Sequence, residues 1–309
     1  MKQLLKNIRA IPFVNLLMRI LIKLLISLGV KIDTTHFIVS GIVKIKLPEN
    51  ESLKLFSKNE DYIPSQVYWK GYLGYEYSVA PFYYLSKNAN TIIDIGANIG
   101  YYSLVASASN PESKVFAFEP VKRIVHRFEK QIRINNFKNI KIEEHIIGDK
   151  NDNVKFYIPK GDTMALAAST KKGWVKDVEE VSVASSTLDE YKTKNKLKTI
   201  DLIKMDCEFH ELEVLQGMNE ILRKDKPIIL MEILFPESDA VKGHFNYDQS
   251  SEIENIMLEN KYYFYLIKQN SIERVDKLIY NKTDRNYLFS TKKSSEVNFL
   301  HKEIAQEIQ

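Results

Sequence analysis

Apolar and polar positions change period several times along this chain. Between residues 91 and 233, short apolar runs alternate with helical patterns. Thr91-Ile-Ile-Asp-Ile-Gly96 reads as a strand buried on both faces, since its apolar residues are contiguous and β-branched. A helical pattern follows to about Ser109, and Lys114 to Glu119 is a second short strand. From Val121 to Asn135, the residues Val121, Ile124, Val125, Phe128 and Ile132 recur at helical spacing. Strands at 140–147, 200–206 and 227–233 follow, with a helix over 210–223 between the last two. Residues 151–180 are irregular apart from a hairpin-like run at 154–158, and 181–184 leads toward the strand at 200–206. A helix near 249–260 and aromatic strands at 262–268 and 286–291 close the pattern. This alternation predicts an α/β fold, with a mostly parallel sheet and right-handed crossovers.

The N-terminal third differs. Ile11 to Val30 is strongly apolar, yet Arg19 and Lys23 interrupt it and Lys2, Lys6, Arg9 and Lys31 flank it. Two central charges oppose a membrane span. A secretory signal would need a clean apolar core and a small-residue cleavage site. The segment 1–32 therefore reads as a basic amphipathic helix. Two settings stay open: the face of an anionic membrane, or packing on the domain or a second subunit. Residues 33–90 form an extension with strands around 37–47 and an aromatic stretch, Tyr68 to Glu76. Most of those aromatics suit a core, while Tyr75 and Glu76 are candidates for a lid over a site. The sheet domain occupies 91–309.

Composition narrows the classes. The 309 residues can bury one large core plus an appendage. A net charge of +4, with no basic stripe among aromatics, gives no reason to expect nucleic acid. The single cysteine, Cys207, excludes an internal disulfide framework. It suits a reducing compartment, so a cytoplasmic setting is expected, with contact at the inner membrane face if the N-terminal helix binds lipid.

The chemistry concentrates where strands end. Gly96 provides a turn after the first strand, and Asn98 and Gly100 open the next helix. A dinucleotide oxidoreductase would place glycines as Gly-x-Gly-x-x-Gly around a pyrophosphate. Here the spacing differs, and Asp94 would repel a pyrophosphate. Asp94 would instead suit an ammonium group, as in the amino-acid end of S-adenosylmethionine. Gly100 would let the helix start approach that ligand. Glu119 ends the second strand about 20 residues past the glycine turn, where such folds place the acid that binds ribose hydroxyls. Asp149 is a candidate near the adenine amine, and Tyr101, Phe118 and Ile147 are candidate apolar contacts.

At these residues the chain resembles the FkbM family of S-adenosylmethionine-dependent methyltransferases. The matching stretches are Asp94 to Ser103, Ala117 to Pro120, Thr187-Leu-Asp189, Lys204 to Gly217, and Pro227 to Ile233. The family's usual third block is Lys-x-Asp-x-Glu-Gly-x-Glu-x-x-x-Leu-x-Gly, and Phe209 stands at the position of its first glycine. The resemblance implies a class I methyltransferase (Rossmann-like) sheet of seven strands with helices on both faces and a reversed final hairpin. It also implies methyl transfer to a hydroxyl oxygen on a sugar of a glycan, glycolipid or glycosylated metabolite. A non-catalytic scaffold of the same fold, serving a glycan-assembly enzyme, is the alternative that Phe209 raises.

Asp206, Glu208 and Glu232 follow the fourth and fifth strands and are the candidate acceptor-side acids. Methyl transfer to a hydroxyl needs alignment and a proton acceptor. Asp206 and Glu208 could deprotonate the acceptor, or Asp206 and Glu232 could hold a Mg²⁺ ion. Glu211 reads equally well as an acid of the first helical turn. Loop 160–178, with Met164, Ala165, Leu166 and Trp174, is expected to shape the acceptor pocket.

Overall fold

A computed structural model describes residues 11–34, 37–58, 61–161, 164–235, 249–279, 281, 283–291, 299 and 300. Lys2, Lys6 and Arg9 of the expected N-terminal helix lie outside these residues, as do positions 162 and 163 of the expected pocket loop. The chain forms two compact units, 1–76 with 129–136, and 77–128 with 137–309.

In the first unit, helix α1 (Pro12–Ser27) begins at a proline, whose missing N–H costs nothing at a helix start. Strands β1 (Gly41–Lys46) and β2 (Ser52–Ser57) pair antiparallel, with Val43, Ile45, Leu53 and Leu55 turned inward. Helix α2 (Tyr62–Lys70) packs with β1 and β2. The open edge of β2 is closed by two amides one helical turn apart. Gln131 exchanges hydrogen bonds with the Phe56 main chain at 2.7 and 2.8 Å, and Asn135 with that of Lys54 at 2.8 and 2.7 Å. Tyr68 and Trp69 meet edge to face, and the Trp69 indole N–H donates to the Phe37 carbonyl at 2.7 Å. These aromatics serve packing.

The second unit opens with α3 (Val79–Ser86), then β3 (Thr91–Ile95), α4 (Tyr101–Ser109), β4 (Lys114–Phe118), α5 (Lys122–Asn135) and β5 (Ile140–Glu143). Next come β6 (Ile146–Ile147), β7 (Asp152–Pro159), β8 (Val178–Ser186), α6 (Leu188–Lys194) and β9 (Leu202–Met205). The unit continues through α7 (Glu211–Gln216), α8 (Asn219–Lys224), β10 (Ile228–Glu232), α9 (Ser250–Glu259), β11 (Tyr263–Ile267), β12 (Ile272–Val275) and β13 (Asn286–Ser290). The central sheet runs β5–β4–β3–β9–β10–β13–β11–β12. Its first five strands are parallel, and β13 is antiparallel to both β10 and β11. This is the α/β class I methyltransferase architecture.

The sheet departs from expectation in three places. Among the described residues it has eight strands, because the short edge strand β12 joins β11. The expected strand 140–147 is two strands: β5 enters the main sheet, whereas β6 joins a second sheet with β7 and β8. The stretch 181–184 therefore belongs to the β7–β8 hairpin. The expected helix 210–223 is broken into α7 and α8 around Gly217, which lies against Gly148 so closely that a Cβ would sit 1.9 Å from the Gly148 carbonyl oxygen.

Local signals explain the joints. Thr187 caps α6 by accepting from the Glu190 N–H at 3.2 Å. Asp189 accepts from the Glu220 and Ile221 N–H groups at 2.9 and 3.0 Å, satisfying the start of α8. Ile124, Val125 and Phe128 bury one face of α5. Gly100 caps α4 at φ +82°, and a Cβ there would lie 1.9 Å from the Phe128 ring. The missing Cβ makes room for Phe128.

Gly100→Ala combines a left-handed backbone with overpacking and is expected to cost about 2–4 kcal/mol in urea denaturation. Gly161→Ala is the control. Gly161 has φ +77° with nothing within 4 Å of an added Cβ, so it should lose only about 1–2 kcal/mol.

Candidate active site

The carboxyl ends of β3, β4, β9 and β10 carry Asp94, Glu119, Asp206 and Glu232. At the first end, Gly96 turns the chain at φ +80°, and a Cβ on it would stand 1.8 Å from the Asp206 carbonyl oxygen. Only glycine lets the turns after β3 and β9 come this close. The Gly96 and Ala97 N–H groups donate to the Phe118 carbonyl at 3.1 and 3.0 Å, tying the turn to β4.

Asn98 holds a left-handed conformation at φ +50°. Its N–H donates to one Glu119 oxygen at 3.0 Å, and its side-chain amide donates to the Met164 carbonyl at 2.8 Å. The other Glu119 oxygen accepts from the Val121 N–H at 2.7 Å. Burial pushes the Glu119 carboxyl up to about 7, against the pull of those two donors.

Asp94 is 2% exposed. One of its oxygens accepts from the Ser103 hydroxyl at 2.6 Å and the Ser103 N–H at 3.1 Å. Burial raises its carboxyl to about 6, opposed by Ser103 and Lys204. Asp94 thus has an internal partner, Ser103, that the sequence reading did not anticipate. It fastens the first turn of α4 beneath the glycine turn.

Lys204 stands beside Asp94 in the β3–β9 register and is 1% exposed. Its ammonium lies 3.6 Å from an Asp206 oxygen and 4.8 Å from the centre of the Tyr102 ring. A lysine in the run Leu-Ile-Lys-Met was the visible signal of this buried cation. Carboxylate oxygens of Asp206 and Glu232 come within 4.8 Å of each other. Glu208 is half-buried beside them. Burial pushes its carboxyl well above the ordinary range; Asp206 and Glu211 add to this and Arg285 opposes it. Arg285 comes from the segment before β13, which is held by the Ile233 N–H donating to its carbonyl at 2.8 Å. No local pattern around Arg285 pointed to the site.

Glu208 and Phe209 both have left-handed backbones, at φ +52° and +69°. The fully buried Phe209 ring packs on Trp174 at 4.8 Å between centroids. The loop before β8 therefore reaches both turns, Met164 at Asn98 and Trp174 at Phe209. Glu211 accepts from the Cys207 N–H at 2.8 Å and the Gln249 amide at 2.9 Å, closing the turn as a brace. Burial raises its carboxyl to about 7.

Other candidates lie elsewhere. Asp149 is exposed and follows β6, since the main-sheet strand already ends at Glu143. It is not the third acid of the main sheet's edge, which corrects the expected placement. Tyr101, Phe118 and Ile147 are core, and Phe118 packs on Tyr191 at 4.9 Å. The Cys207 thiol is raised well above its usual value by burial, which makes it a poor nucleophile. His210 is buried, accepts or donates at the Thr170 hydroxyl at 2.9 Å, and is pushed by burial down to about 4.

The family model of the methyltransferase FkbM domain matches residues 94–264, more than half of the chain. The chain belongs to this family. It is similar to "Methyltransferase 1" of Beauveria bassiana (strain ARSEF 2860), 27% identical over 160 residues that cover 47% of this chain and 63% of the relative. It is also similar to the 2-O-methyltransferase NoeI of Sinorhizobium fredii (strain NBRC 101917 / NGR234), 29% identical over 154 residues covering 46% and 63%. The chain thus spans less than two thirds of the length of these curated relatives. The crystal structure of methyltransferase FkbM from Methylobacillus flagellatus KT aligns over 65% of this chain and 43% of its own, at 14% identity and a TM-score of 0.42. In this FkbM-family chain, Phe209 occupies a backbone conformation that glycine adopts freely, which accounts for the glycine usual there.

Asp94, Glu119 and Glu211 all hold protons more tightly in the folded protein than in an unfolded chain. Stability of the ligand-free protein should therefore fall as pH rises from about 4.5 to about 7 and level off beyond. His210 and His145, both lowered by burial, oppose this below about 6.5, while Glu208 adds to it. In urea titrations, Glu211→Gln should remove about 3 kcal/mol of the pH-dependent loss. An unchanged pH slope in that variant would contradict this.

Proposed function

We propose that this FkbM-family chain moves the methyl group of S-adenosylmethionine to a hydroxyl oxygen, and that the hydroxyl belongs to a sugar on a glycan, a glycolipid or a glycosylated metabolite. The observation that carries the reading is Glu119. It ends β4 next to the glycine turn, and each oxygen accepts one main-chain N–H. A carboxylate has about four acceptor positions, so two remain for a ribose diol. The donor's sulfonium and ammonium charges suit a site walled by acids.

In the transfer, an oxygen–carbon bond forms as the sulfur–carbon bond breaks, and the hydroxyl proton needs an acceptor. Asp206 and Glu208 are the groups available. Burial holds the Glu208 carboxyl well above the ordinary range, so in its ionised form it is the stronger proton acceptor of the two. Asp206, 3.6 Å from the Lys204 ammonium, suits a role that orients the hydroxyl. The oxygen-acceptor part of the reading draws on NoeI being named a 2-O-methyltransferase, and the sugar on the resemblance to the FkbM family. Asp206 and Glu232 are close enough to share a Mg²⁺ ion. Lys204 makes one unnecessary, because it already places a positive charge 3.6 Å from Asp206.

Methyl transfer from labelled donor to a panel of oligosaccharides tests this. Asp206→Asn should lower turnover about a hundredfold or more while leaving S-adenosylhomocysteine affinity unchanged. EDTA should leave the wild-type rate unchanged. Cofactor binding without transfer to any hydroxyl acceptor would favour the non-catalytic scaffold that the Phe209 departure raises.

A further inference from the structure

Helix α1 is amphipathic, and its polar edge faces inward. Asn15 donates to the Ile38 carbonyl and accepts from the Ser40 N–H, both at 2.9 Å. The Arg19 guanidinium lies over the Tyr68 ring at 4.8 Å, and the Lys23 ammonium lies over the same ring at 4.4 Å. Both charges that interrupt the apolar run are thereby held on one aromatic side chain. Ile22 is the one large apolar residue of the helix that is buried. Phe13, Leu17, Ile20, Leu21, Leu24 and Leu28 remain 51–71% exposed. Isolated exposed apolar residues are ordinary, but a contiguous helical face of them marks a surface that another apolar phase covers.

Charge identifies the occupant. Residues 1–32 contain six basic residues, of which Arg19 is buried on Tyr68, and no acidic ones, whereas the whole chain carries only +4. A second copy docking on this face would bring like charge against like charge. Anionic phospholipid offers both an apolar interior and opposite charge. Among the described residues, no helix is long and apolar enough to cross a membrane. The 16 residues of α1 reach about 24 Å against a hydrocarbon core of about 30 Å. We propose that α1 docks this protein on an anionic phospholipid surface, lying in the interfacial plane with its leucine face among the acyl chains. Lys31, at the exposed end of the segment, meets the headgroups.

Membrane docking is independent of catalysis and is read without an activity assay. The full-length chain is sedimented with vesicles of phosphatidylcholine alone and of equimolar phosphatidylcholine and phosphatidylglycerol. Sedimentation with the anionic vesicles, weakened by salt and by omitting phosphatidylglycerol, is expected. The exposed-face variant Leu17→Ser/Leu21→Ser/Leu24→Ser should bind at least about tenfold more weakly with an unchanged circular dichroism spectrum. Wild type that stays in solution with anionic vesicles would overturn the proposal, as would a triple variant that binds equally well. A concentration-dependent dimer in light scattering that the triple variant abolishes would also overturn it, by assigning the face to a second copy.

Discussion

The contact between Gly96 and the Asp206 carbonyl fixes the rest of the site. It joins the turns after two adjacent parallel strands at a distance no side chain permits. Once they touch, the β3–β9 register sets Asp94 beside Lys204. Asp206 then follows Lys204 by two residues onto the same rim. The glycine turn after β3 and the Asp206 turn after β9 are therefore one unit of backbone. A change at either turn moves both.

Charge is the second constraint. Buried carboxylates are costly unless protonated or paired. This protein uses both solutions. Asp94, Glu119 and Glu211 are pushed toward their neutral forms by burial while each also accepts main-chain N–H groups. Lys204 pairs with Asp206.

Much of this was legible in the sequence. The strand–helix alternation, the glycine turn, Glu119 and the acids at the strand ends followed from period and spacing alone. The errors have physical causes. In the run 140–147 the polar Glu143-Glu144-His145 marks the break between β5 and β6, a local signal that a single-strand reading passes over. The helix over 210–223 keeps its spacing, and breaks because Gly217 meets Gly148. Such contacts join residues far apart in the chain. The same holds for Arg285 near Glu208. β12 is short and polar, as edge strands are. In α1 the composition was readable, but which face turns inward depends on Asn15 and Arg19 finding partners in the first unit.

The central claim is that Glu119 and the glycine turn hold S-adenosylmethionine. Calorimetric titration of S-adenosylmethionine and S-adenosylhomocysteine into wild type and Glu119→Ala tests it most directly, with the fold of each verified by circular dichroism. The account predicts binding of both ligands to wild type, and a loss of about a hundredfold in the variant as two charge-assisted hydrogen bonds disappear. No binding to folded wild type, or equal binding to the variant, would contradict it.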